Sequence, residues 1–387
     1  MSMRIGLDGI PLATPRTGVG HYTFELARHL ALAATDHKFQ LVSPFAFDPP
    51  IDDAELPPNL KAIRPQVGAW RRRWFAVGLP LYLKQASIDL FHGTNYDVPL
   101  WSKCPAVLTI HDLSLLLYGS THEGRLARRG RYRMPIMARR AAAIITPSNA
   151  VKNEVSQYLK IKSSKLFVVP EAARSFFKPV PHAESEAVRR RFRIEGNFIL
   201  YVGTIEPRKN LITLLQAFEE VLRHTEAKPQ LVVAGKVGWL TDKLFTRAGQ
   251  SDAADRLVFT GYLGDEELRA LYSAATVFVY PSMYEGFGLP VLEAMACGAP
   301  VITSDIPSLS ETAGRAARLA SPSDAQALAK NVVDLLENER ERQYLSQAGI
   351  KHAQQFSWEK TARATLDVYT EVIGRTSKKG VATAVAN

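Results

Sequence analysis

Two pairs of charged residues in the second half of the chain have the types and the spacing to bind a phosphorylated sugar. Arg208 and Lys209 are adjacent, and Glu285 and Glu293 have seven residues between them. An arginine fork and a lysine point charge can balance a diphosphate without a metal. Carboxylates accept hydrogen bonds from sugar and ribose hydroxyls. Together the four side chains indicate a site for an anionic ligand rich in hydroxyl groups.

The glutamate pair brackets the turn between the loop and the helix of a predicted strand–loop–helix unit. The strand at 276–279 is followed by a loop in which Gly286 and Gly288 let backbone N–H groups approach a ligand closely. Pro290 fits the first turn of a helix, where its missing N–H costs nothing. Free N–H groups and the helix dipole favour phosphate at such a helix start. Glu285 then lies in the loop and Glu293 about one turn into the helix.

The cation pair follows another predicted strand, 198–202, which is the first strand of the second half. Gly203 comes directly after it, and Arg208 and Lys209 lead into the next helix. Open α/β sheets bind their ligands at the carboxyl ends of the strands. The sequence therefore predicts that both charged pairs lie at one edge of one sheet, where the cations stabilise a leaving diphosphate.

Short β-branched runs alternate with helical stretches along all 387 residues, the pattern of parallel sheets with crossover helices. This predicts two open α/β sheets, joined near the proline-bearing stretch 177–182. The predicted strands of the first half are 4–7, 39–43, 90–92, 106–110, 143–145 and 166–169. Those of the second half are 198–202, 230–234, 257–260, 276–279 and 300–303.

Composition limits the class of protein. Apolar residues make up 46% of the chain, charged residues make up 22%, and no apolar run reaches the length of a spanning helix. The two cysteines, Cys104 and Cys297, lack metal-site spacing, and the first residues lack the pattern of an export signal. We therefore expect a cytoplasmic protein with no metal and no cofactor.

The motifs, taken in order, resemble glycosyltransferase family 4. The resemblance rests on Arg208 and Lys209 with the glutamate pair and its Gly-Phe-Gly loop. Smaller counterparts occur at Gly18 and Gly20, at His111 and Asp112, at 261–263 and at 356–360. It covers nearly the whole chain. It implies a retaining hexosyltransferase of the GT-B fold, an α/β architecture of two Rossmann-like domains that face each other across a cleft.

The proline-bearing stretch sets the boundary between the two predicted domains, and the resemblance implies the role of each. Residues 1–178 would form the acceptor-binding Rossmann-like domain, and residues 183–357 the domain that binds the nucleotide sugar. Residues 358–376 would form a helix that returns to the N-terminal domain. The small, polar residues 377–387 are expected to be a disordered tail.

Residue roles are carried over from the family to the matching positions. Arg208 and Lys209 would bind the donor diphosphate, Glu293 the nucleotide ribose, and Glu285 the transferred sugar. His111 would reach that sugar from the N-terminal domain. The remaining expected donor contacts come from backbone groups or from closing glycines: Gly18, Gly20, Gly203, Tyr262, Leu263, Gly286, Phe287, Gly288 and Leu289.

The donor implied is GDP-mannose, because 203–210 and 233–239 are most similar to bacterial mannosyltransferases that build surface polysaccharides. UDP-glucose or a UDP-N-acetylhexosamine stays open, as does a catalytically silent subunit that only binds nucleotide. The acceptor would be a saccharide or a lipid-linked saccharide. A nicotinamide dehydrogenase is disfavoured, because Gly18 and Gly20 stand too far from their strand and lack a third glycine.

Several residues have a simpler interpretation. The glutamates could be solvated carboxylates at a helix start. Arg208 and Lys209 could be exposed, although cations there oppose the helix dipole. His111 could be a structural histidine, and Gly18 and Gly20 an ordinary turn before a helix.

The net positive charge of the chain comes entirely from its first half. Residues 1–180 contain 24 Lys and Arg against 13 Asp and Glu, a net charge of +11, while the rest carries −1. Seven arginines fall in sixteen residues: Arg125, Arg128, Arg129, Arg131, Arg133, Arg139 and Arg140. A solvated helix face is one interpretation. The other is peripheral contact with an anionic membrane, at the inner face of the plasma membrane, or with a phosphate-bearing lipid. Nucleic acid is not expected, because no recognised binding module accompanies the charge.

Overall fold

The chain divides into two compact units in the computed structural model. The described residues are 2–52, 54, 56–66, 68–121, 124 and 128–385, with side chains described through 375 except at 129. Unit 1 comprises Met1–Leu117, Arg125–Glu171 and Trp358–Asn387. Unit 2 comprises Tyr118–Gly124 and Ala172–Ser357.

Unit 1 is built on a seven-stranded parallel sheet in the order β3-β2-β1-β4-β5-β6-β7. Its strands are β1 Arg4–Asp8, β2 Lys38–Val42, β3 Leu60–Ile63, β4 Leu90–Gly93, β5 Ala106–Thr109, β6 Ala143–Thr146 and β7 Leu166–Val168. Its helices are α1 Gly18–Ala33, α2 Leu79–Gln85, α3 Ser114–Leu117, α4 Met134–Arg140 and α5 Asn149–Leu159. The central strands β4, β5 and β6 are buried along their whole length, as expected for a parallel sheet covered on both faces.

Unit 2 has a six-stranded parallel sheet in the order β10-β9-β8-β11-β12-β13. Its strands are β8 Phe198–Val202, β9 Gln230–Ala234, β10 Leu257–Gly261, β11 Val277–Tyr280, β12 Val301–Ser304 and β13 Arg318–Ala320. Its first helices are α6 His182–Arg191, α7 Leu211–His224, α8 Asp242–Gln250 and α9 Asp265–Ala274. The others are α10 Leu289–Ala296, α11 Pro307–Ala313, α12 Ala325–Glu337 and α13 Glu339–Ala353. One continuous apolar core holds this unit together.

Each strand predicted from the sequence is present, with ends that differ by one residue at most. Two further strands were missed, β3 and β13, and each lies at an edge of its sheet. An edge strand is paired on one side only and is less buried, so it needs no continuous β-branched run. The missed strands therefore left a weak pattern in the sequence.

The last helix, α14 Trp358–Val385, belongs to unit 1 and packs against α1. Trp358 contacts the Tyr22 ring at 5.9 Å, and the Tyr369 hydroxyl lies 2.6 Å from Nδ1 of the buried His92. The helix continues through 377–385, where the sequence had predicted a disordered tail. Each residue added to an existing helix gains a backbone hydrogen bond at little further cost. Positions 386 and 387 lie outside the described residues.

The chain passes from unit 1 to unit 2 between Glu171 and Ala172, earlier than the predicted linker at 177–182. Phe177 explains the difference, because its side chain is buried in the core of unit 2 and contacts the Tyr272 ring at 5.8 Å. The prolines in this stretch therefore follow the change of unit.

Among the described residues, no helix is both long and apolar enough to cross a membrane.

Candidate functional site

The charged pairs of unit 2 lie at the carboxyl edge of its sheet, where the strand order reverses. Strands β8 and β11 are neighbours, but the chain leaves β8 toward β9 on one side and leaves β11 toward β12 on the other. The loops after these two strands therefore diverge and leave a crevice, the usual ligand position in open α/β sheets. Arg208 and Lys209 follow β8, and Glu285 follows β11.

The two loops are tied together by their backbones. The Met283 N–H donates to the Arg208 carbonyl at 2.9 Å. Asn210 adopts a left-handed conformation, with φ of 63°, and donates through its amide to the Pro281 carbonyl at 3.0 Å. Gly203, with φ of 152°, allows the chain to turn sharply at the end of β8. These contacts hold the cations beside the loop that carries Glu285.

Arg208 and Lys209 both form ion pairs with Glu285. The Lys209 Nζ lies 2.5 Å from Glu285 Oε1, and Arg208 Nη1 lies 3.1 Å from Glu285 Oε2. The other nitrogen of the fork, Nη2, bonds Glu206 Oε1 at 2.6 Å. The exposed fraction of each of these four side chains is 11% or less. The simpler interpretations, solvated glutamate and exposed cations, therefore do not describe Glu285, Arg208 or Lys209.

This burial changes the charge states that the residues prefer. Burial alone would raise the pKa of Glu285, but the nearby charges of Lys209 and Arg208 outweigh it and lower that pKa to about 2. Burial lowers the pKa of Lys209, and Glu285 offsets part of that effect. The Tyr280 hydroxyl lies 2.7 Å from Lys209 Nζ and 3.1 Å from Glu285 Oε1. Glu285 is thus held as a carboxylate.

The four formal charges of this cluster cancel, because Glu206 and Glu285 balance Arg208 and Lys209. The sequence indicated that Arg208 and Lys209 could balance a diphosphate, but it did not show that Glu206 and Glu285 already pair with both cations. A further source of positive potential lies nearby, at the N-terminus of α10. Gly288 precedes that helix with φ of 102°, and a Cβ there would lie 2.5 Å from the Leu309 side chain. The glycine is therefore required by both conformation and space.

The loop before α10 is held in place by contacts with the core of unit 2. The Phe287 side chain is buried and contacts the Phe356 ring at 5.9 Å, and the Ser308 hydroxyl donates to the Glu285 carbonyl at 2.6 Å. Phe287 thus anchors the loop through its ring, and any ligand contact of this residue comes from its backbone. Leu289, the first residue of α10, is partly buried against the same core.

Glu293 has a different environment from Glu285. It lies within α10, half-buried, with the Tyr272 hydroxyl 3.3 Å from its Oε2. Burial raises its pKa to about 7, although the charge of Arg174 acts in the opposite direction. The guanidinium of Arg174 is itself bound to Asp265, at 2.5 and 2.8 Å. A neutral Glu293 can both donate and accept a hydrogen bond.

The turn after β10 was predicted to contact a nucleotide base. Gly261 has φ of 71°, Tyr262 is exposed, and Leu263 is buried in the core. Leu263 therefore acts as an anchor for the turn, which leaves backbone groups for ligand contact. Gly235 follows β9 in the same way, with φ of 151°, and a Cβ there would lie only 1.9 Å from the Gly203 carbonyl.

In unit 1, His111 follows β5 at the carboxyl edge of the sheet. Its Nδ1 lies 2.9 Å from Glu171 Oε1, and its Nε2 lies 2.8 Å from the Thr94 carbonyl. Both partners accept hydrogen bonds, so both ring nitrogens must carry hydrogen when Glu171 is ionised. Burial would lower the pKa of His111, but the hydrogen bond and charge of Glu171 outweigh it and raise that pKa. These contacts favour the cationic form of His111, and the Tyr22 ring packs against it in a T-shaped arrangement, with ring centroids 4.6 Å apart.

Gly18 and Gly20 lie in the first turn of α1. A Cβ at Gly18 would meet no atom within 4 Å, whereas a Cβ at Gly20 would lie 3.1 Å from the Pro11 carbonyl. Close packing within unit 1 is therefore sufficient to explain why position 20 is a glycine. Gly18 is exposed at a helix N-terminus whose N-cap, Thr17, makes no side-chain cap bond. Its predicted role in phosphate binding stays a prediction.

Three charged or polar residues of these clusters were not singled out by the sequence. Glu206 and Tyr280 lie in the segments that carry the motifs, and Glu171 follows β7 by three residues. The position of an acid just beyond a strand could have identified Glu171 and Glu206. The pairing of Glu171 with His111 could not be predicted, because it depends on the order of the strands in the sheet. The pairing of Glu206 with Arg208, two residues away, depends on the conformation of the loop after β8.

Comparisons with known proteins cover both halves of the chain. Residues 16–173 match the family described as Glycosyltransferase Family 4, and residues 183–352 match Glycosyl transferases group 1. The O-antigen chain mannosyltransferase B of Escherichia coli is 30% identical over 390 residues, which cover 95% of this chain and 99% of that protein.

Two other proteins are similar to this chain. The serotype-specific mannosyltransferase WbdA of Escherichia coli is 31% identical over 294 residues, 73% of this chain but 36% of that protein. A solved structure, sucrose-phosphate synthase from Thermosynechococcus elongatus, superposes with a TM-score of 0.77 at 23% identity, over 96% of this chain and 100% of that one. The chain therefore belongs to glycosyltransferase family 4 and is a hexosyltransferase with the two Rossmann-like domains of the GT-B fold.

Proposed function

We propose that this protein transfers mannose from GDP-mannose to a saccharide or lipid-linked saccharide acceptor, with retention of configuration and without a metal, in the synthesis of a surface polysaccharide. The choice of mannose is supported by the O-antigen chain mannosyltransferase B, whose similarity extends over nearly the whole of both chains. The name of the same relative, which refers to an O-antigen chain, supports the proposal of a saccharide or lipid-linked saccharide acceptor.

The observation that carries the proposal is the buried cluster of Arg208, Lys209 and Glu285 at the strand-order reversal of unit 2. Two cations and one ionised carboxylate at the start of a helix suit a ligand that has phosphates at one end and hydroxyls at the other. When the donor binds, the phosphates compete with Glu285 for the cations. The carboxylate then accepts hydrogen bonds from hydroxyls of the transferred sugar.

In the proposed reaction the acceptor hydroxyl attacks the anomeric carbon on the same face from which the leaving group departs. The bond from that carbon to the phosphate oxygen breaks, and a bond to the acceptor oxygen forms. The proton of the acceptor hydroxyl passes to the departing phosphate. Arg208 and Lys209 stabilise the negative charge that develops on the nucleoside diphosphate. Glu285 orients the sugar, and Glu293 binds the ribose, which does not react.

His111 is proposed as a further sugar contact. Because both of its ring nitrogens are occupied, by Glu171 and by the Thr94 carbonyl, a sugar hydroxyl must replace one of these partners or act through the cationic charge. The backbone at Gly203, Tyr262 and Leu263 is proposed to contact the nucleotide.

Nucleotide and metal use can be tested together on the purified chain. Release of nucleoside diphosphate is measured with GDP-mannose, UDP-glucose and UDP-N-acetylglucosamine, before and after chelation with EDTA. We expect release from GDP-mannose, unchanged by EDTA, and loss of release in the variant Arg208→Ala with Lys209→Ala. The control replaces two exposed cations of unit 2, Lys330→Ala with Arg340→Ala.

Each outcome has a distinct meaning. Release of nucleoside diphosphate from a UDP-sugar alone would show that the proposed donor is wrong but would leave the proposed reaction unchanged. Strict dependence on added manganese or magnesium would contradict metal-free transfer. A nucleotide that raises the melting temperature without any release would favour a silent binding subunit, since a ligand of the folded state stabilises it without turnover.

A further inference from the structure

A surface of unit 1 exposes large aromatic and aliphatic side chains among arginines. The exposed fraction is 72% for Trp101, 63% for Tyr132 and 50% for Ile136. Arg139 and Arg140 are exposed beside them. These five residues are called the arginine–aromatic face below. Apolar side chains this large are seldom left in water together without a partner.

The helix α4 explains why three members share one side. Its Met134, Met137 and Ala138 are buried in the core of unit 1, so that Ile136, Arg139 and Arg140 point away from that core. Ile136 and Arg140 are four residues apart, the spacing of neighbours on a helix surface, and Tyr132 lies in the π-helical turn Arg129–Arg133 directly before α4. Arg125 and the Arg129 side chain lie outside the described residues.

Trp101 joins the face from a different segment. The Arg140 guanidinium lies over the Trp101 ring, 5.6 Å from its centroid. The residue before Trp101, Leu100, donates from its N–H to the Phe75 carbonyl at 2.8 Å. Phe75 in turn lies under the Arg133 guanidinium, at 5.2 Å. The tryptophan is therefore held beside α4 by two neighbouring segments.

The turn Gly68–Arg73 runs directly into the segment of Phe75 and repeats the same composition. Trp70 and the three arginines Arg71, Arg72 and Arg73 are exposed. The face and this turn thus combine indole rings with guanidinium groups on one part of unit 1.

Negative charge is scarce around the face. The segments 68–86, 99–106 and 128–142 contain no Asp or Glu. Asp97, which lies close by, is buried and bound to Arg133 at 2.6 Å. Within the described residues, Arg131, Arg139 and Arg140 form no ion pair with a carboxylate. Their charge is therefore available to an external anion.

We propose that this face docks the protein on an anionic lipid bilayer. Tryptophan and tyrosine rings favour the boundary between headgroups and acyl chains, and Ile136 would enter the acyl region. The arginines would bind lipid phosphates, a contact that weakens with salt. Nucleic acid is the less favoured partner, because an aliphatic side chain at the centre of the face neither stacks on bases nor bonds phosphate. The proposal is independent of the donor and of the reaction.

The test uses the full chain and vesicles of phosphatidylcholine, with or without phosphatidylglycerol. We expect co-sedimentation with the phosphatidylglycerol vesicles only, and weaker binding at high salt. The variants Arg139→Glu with Arg140→Glu, and Trp101→Ser with Ile136→Ser, should each bind at least about tenfold more weakly, since each basic residue near a bilayer contributes about 1 kcal/mol. All four positions are exposed, so the melting temperature should stay unchanged.

A matched control changes exposed residues of unit 2, Lys330→Glu with Arg340→Glu and Tyr344→Ser, and should bind vesicles like the unaltered chain. Release of nucleoside diphosphate in free solution should be equal in all of these proteins. Equal binding to neutral and anionic vesicles, or unimpaired binding by both face variants, would overturn the proposal. Displacement from vesicles by DNA, with tighter binding to DNA alone, would also overturn it.

Discussion

Glu285 and Glu293 lie on consecutive elements of unit 2, the loop after β11 and the helix α10, and their surroundings differ. Glu285 has two cations within 3.1 Å, and its pKa falls to about 2. Glu293 has a tyrosine hydroxyl at 3.3 Å and a more distant arginine, and its pKa rises to about 7. Both carboxyl groups lose hydration, so the difference comes from the distance to the compensating charge. Two glutamates on one motif thus have different charge states near neutral pH.

The comparison also shows why the cations cannot be considered alone. Arg208 and Lys209 keep Glu285 ionised, and Arg208 keeps the buried Glu206 paired. Among the described residues, Glu293 has a charge of this kind only at a longer distance, that of Arg174, which is itself bound to Asp265. A change at the cation pair therefore affects the fold as well as the chemistry, whereas a change at Glu293 affects a group that is neutral in part of the population.

The largest effect is expected from Arg208→Ala with Lys209→Ala. Turnover should fall about a thousandfold or more, because the leaving diphosphate loses its charged contacts. The free energy of unfolding should fall by about 3–5 kcal/mol, since Glu206 and Glu285 stay buried without partners. Steady-state kinetics and urea unfolding measure the two effects.

A second variant separates the two effects of the cation pair. Adding Glu206→Gln to the double variant should restore part of the stability and none of the turnover, while Glu285, whose own replacement lowers kcat, is kept. Unchanged turnover in the double variant would remove Arg208 and Lys209 from the active site.

The next effect distinguishes the two glutamates in binding and turnover. Glu285→Gln should lower kcat by about a hundredfold, because contacts to the reacting sugar strengthen in the transition state. Glu293→Gln should leave kcat nearly unchanged and weaken binding of the bare nucleoside diphosphate by about tenfold. Calorimetric titration beside steady-state kinetics measures both. A larger loss of nucleotide affinity in Glu285→Gln than in Glu293→Gln would reverse the assignment.

The smallest expected effect is on the free energy of unfolding. Its dependence on pH has the opposite sign at Glu285 and at Glu293. The folded pKa of Glu285, about 2, lies below the ordinary value of 4.5, so its contribution is complete above pH 4.5 and is lost as the pH falls toward 2. The folded pKa of Glu293, about 7, lies above 4.5, so the fold loses stability as the pH rises from 4.5 to 7.

Each change in pKa corresponds to about 3 kcal/mol. Urea unfolding of the unaltered chain and both Gln variants, from pH 3 to pH 8, should therefore show Glu285→Gln as the less stable protein above pH 5. Glu293→Gln should match the unaltered chain near pH 4 and exceed it above pH 7. Parallel pH profiles for the two variants would contradict the difference in their surroundings.

Much of the fold could be predicted because the apolar pattern of each segment agrees with the position of that segment in a parallel sheet. The buried central strands are continuous apolar runs, so their positions were readable to within one residue. The edge strands β3 and β13 contain only short apolar runs, and for that reason they were missed. The change of unit at Glu171 and Ala172 was also misplaced, because prolines mark an extended stretch but do not show which core Phe177 joins.

The sequence by itself determined the family, the two α/β halves and the identity of the charged residues at the strand ends. These depend on residue type and on spacing along the chain, which local physical rules connect to strands, loops and helix starts. Only the tertiary structure decided which charges face one another: Glu206 with Arg208, Glu171 with His111, and Tyr272 with Glu293. Glu171 meets His111 across 60 positions of the chain and Tyr272 meets Glu293 across 21, whereas Glu206 and Arg208 are two positions apart and are paired by the conformation of their loop. The pKa shifts of His111 and Glu293 follow from burial and from distances of a few ångströms.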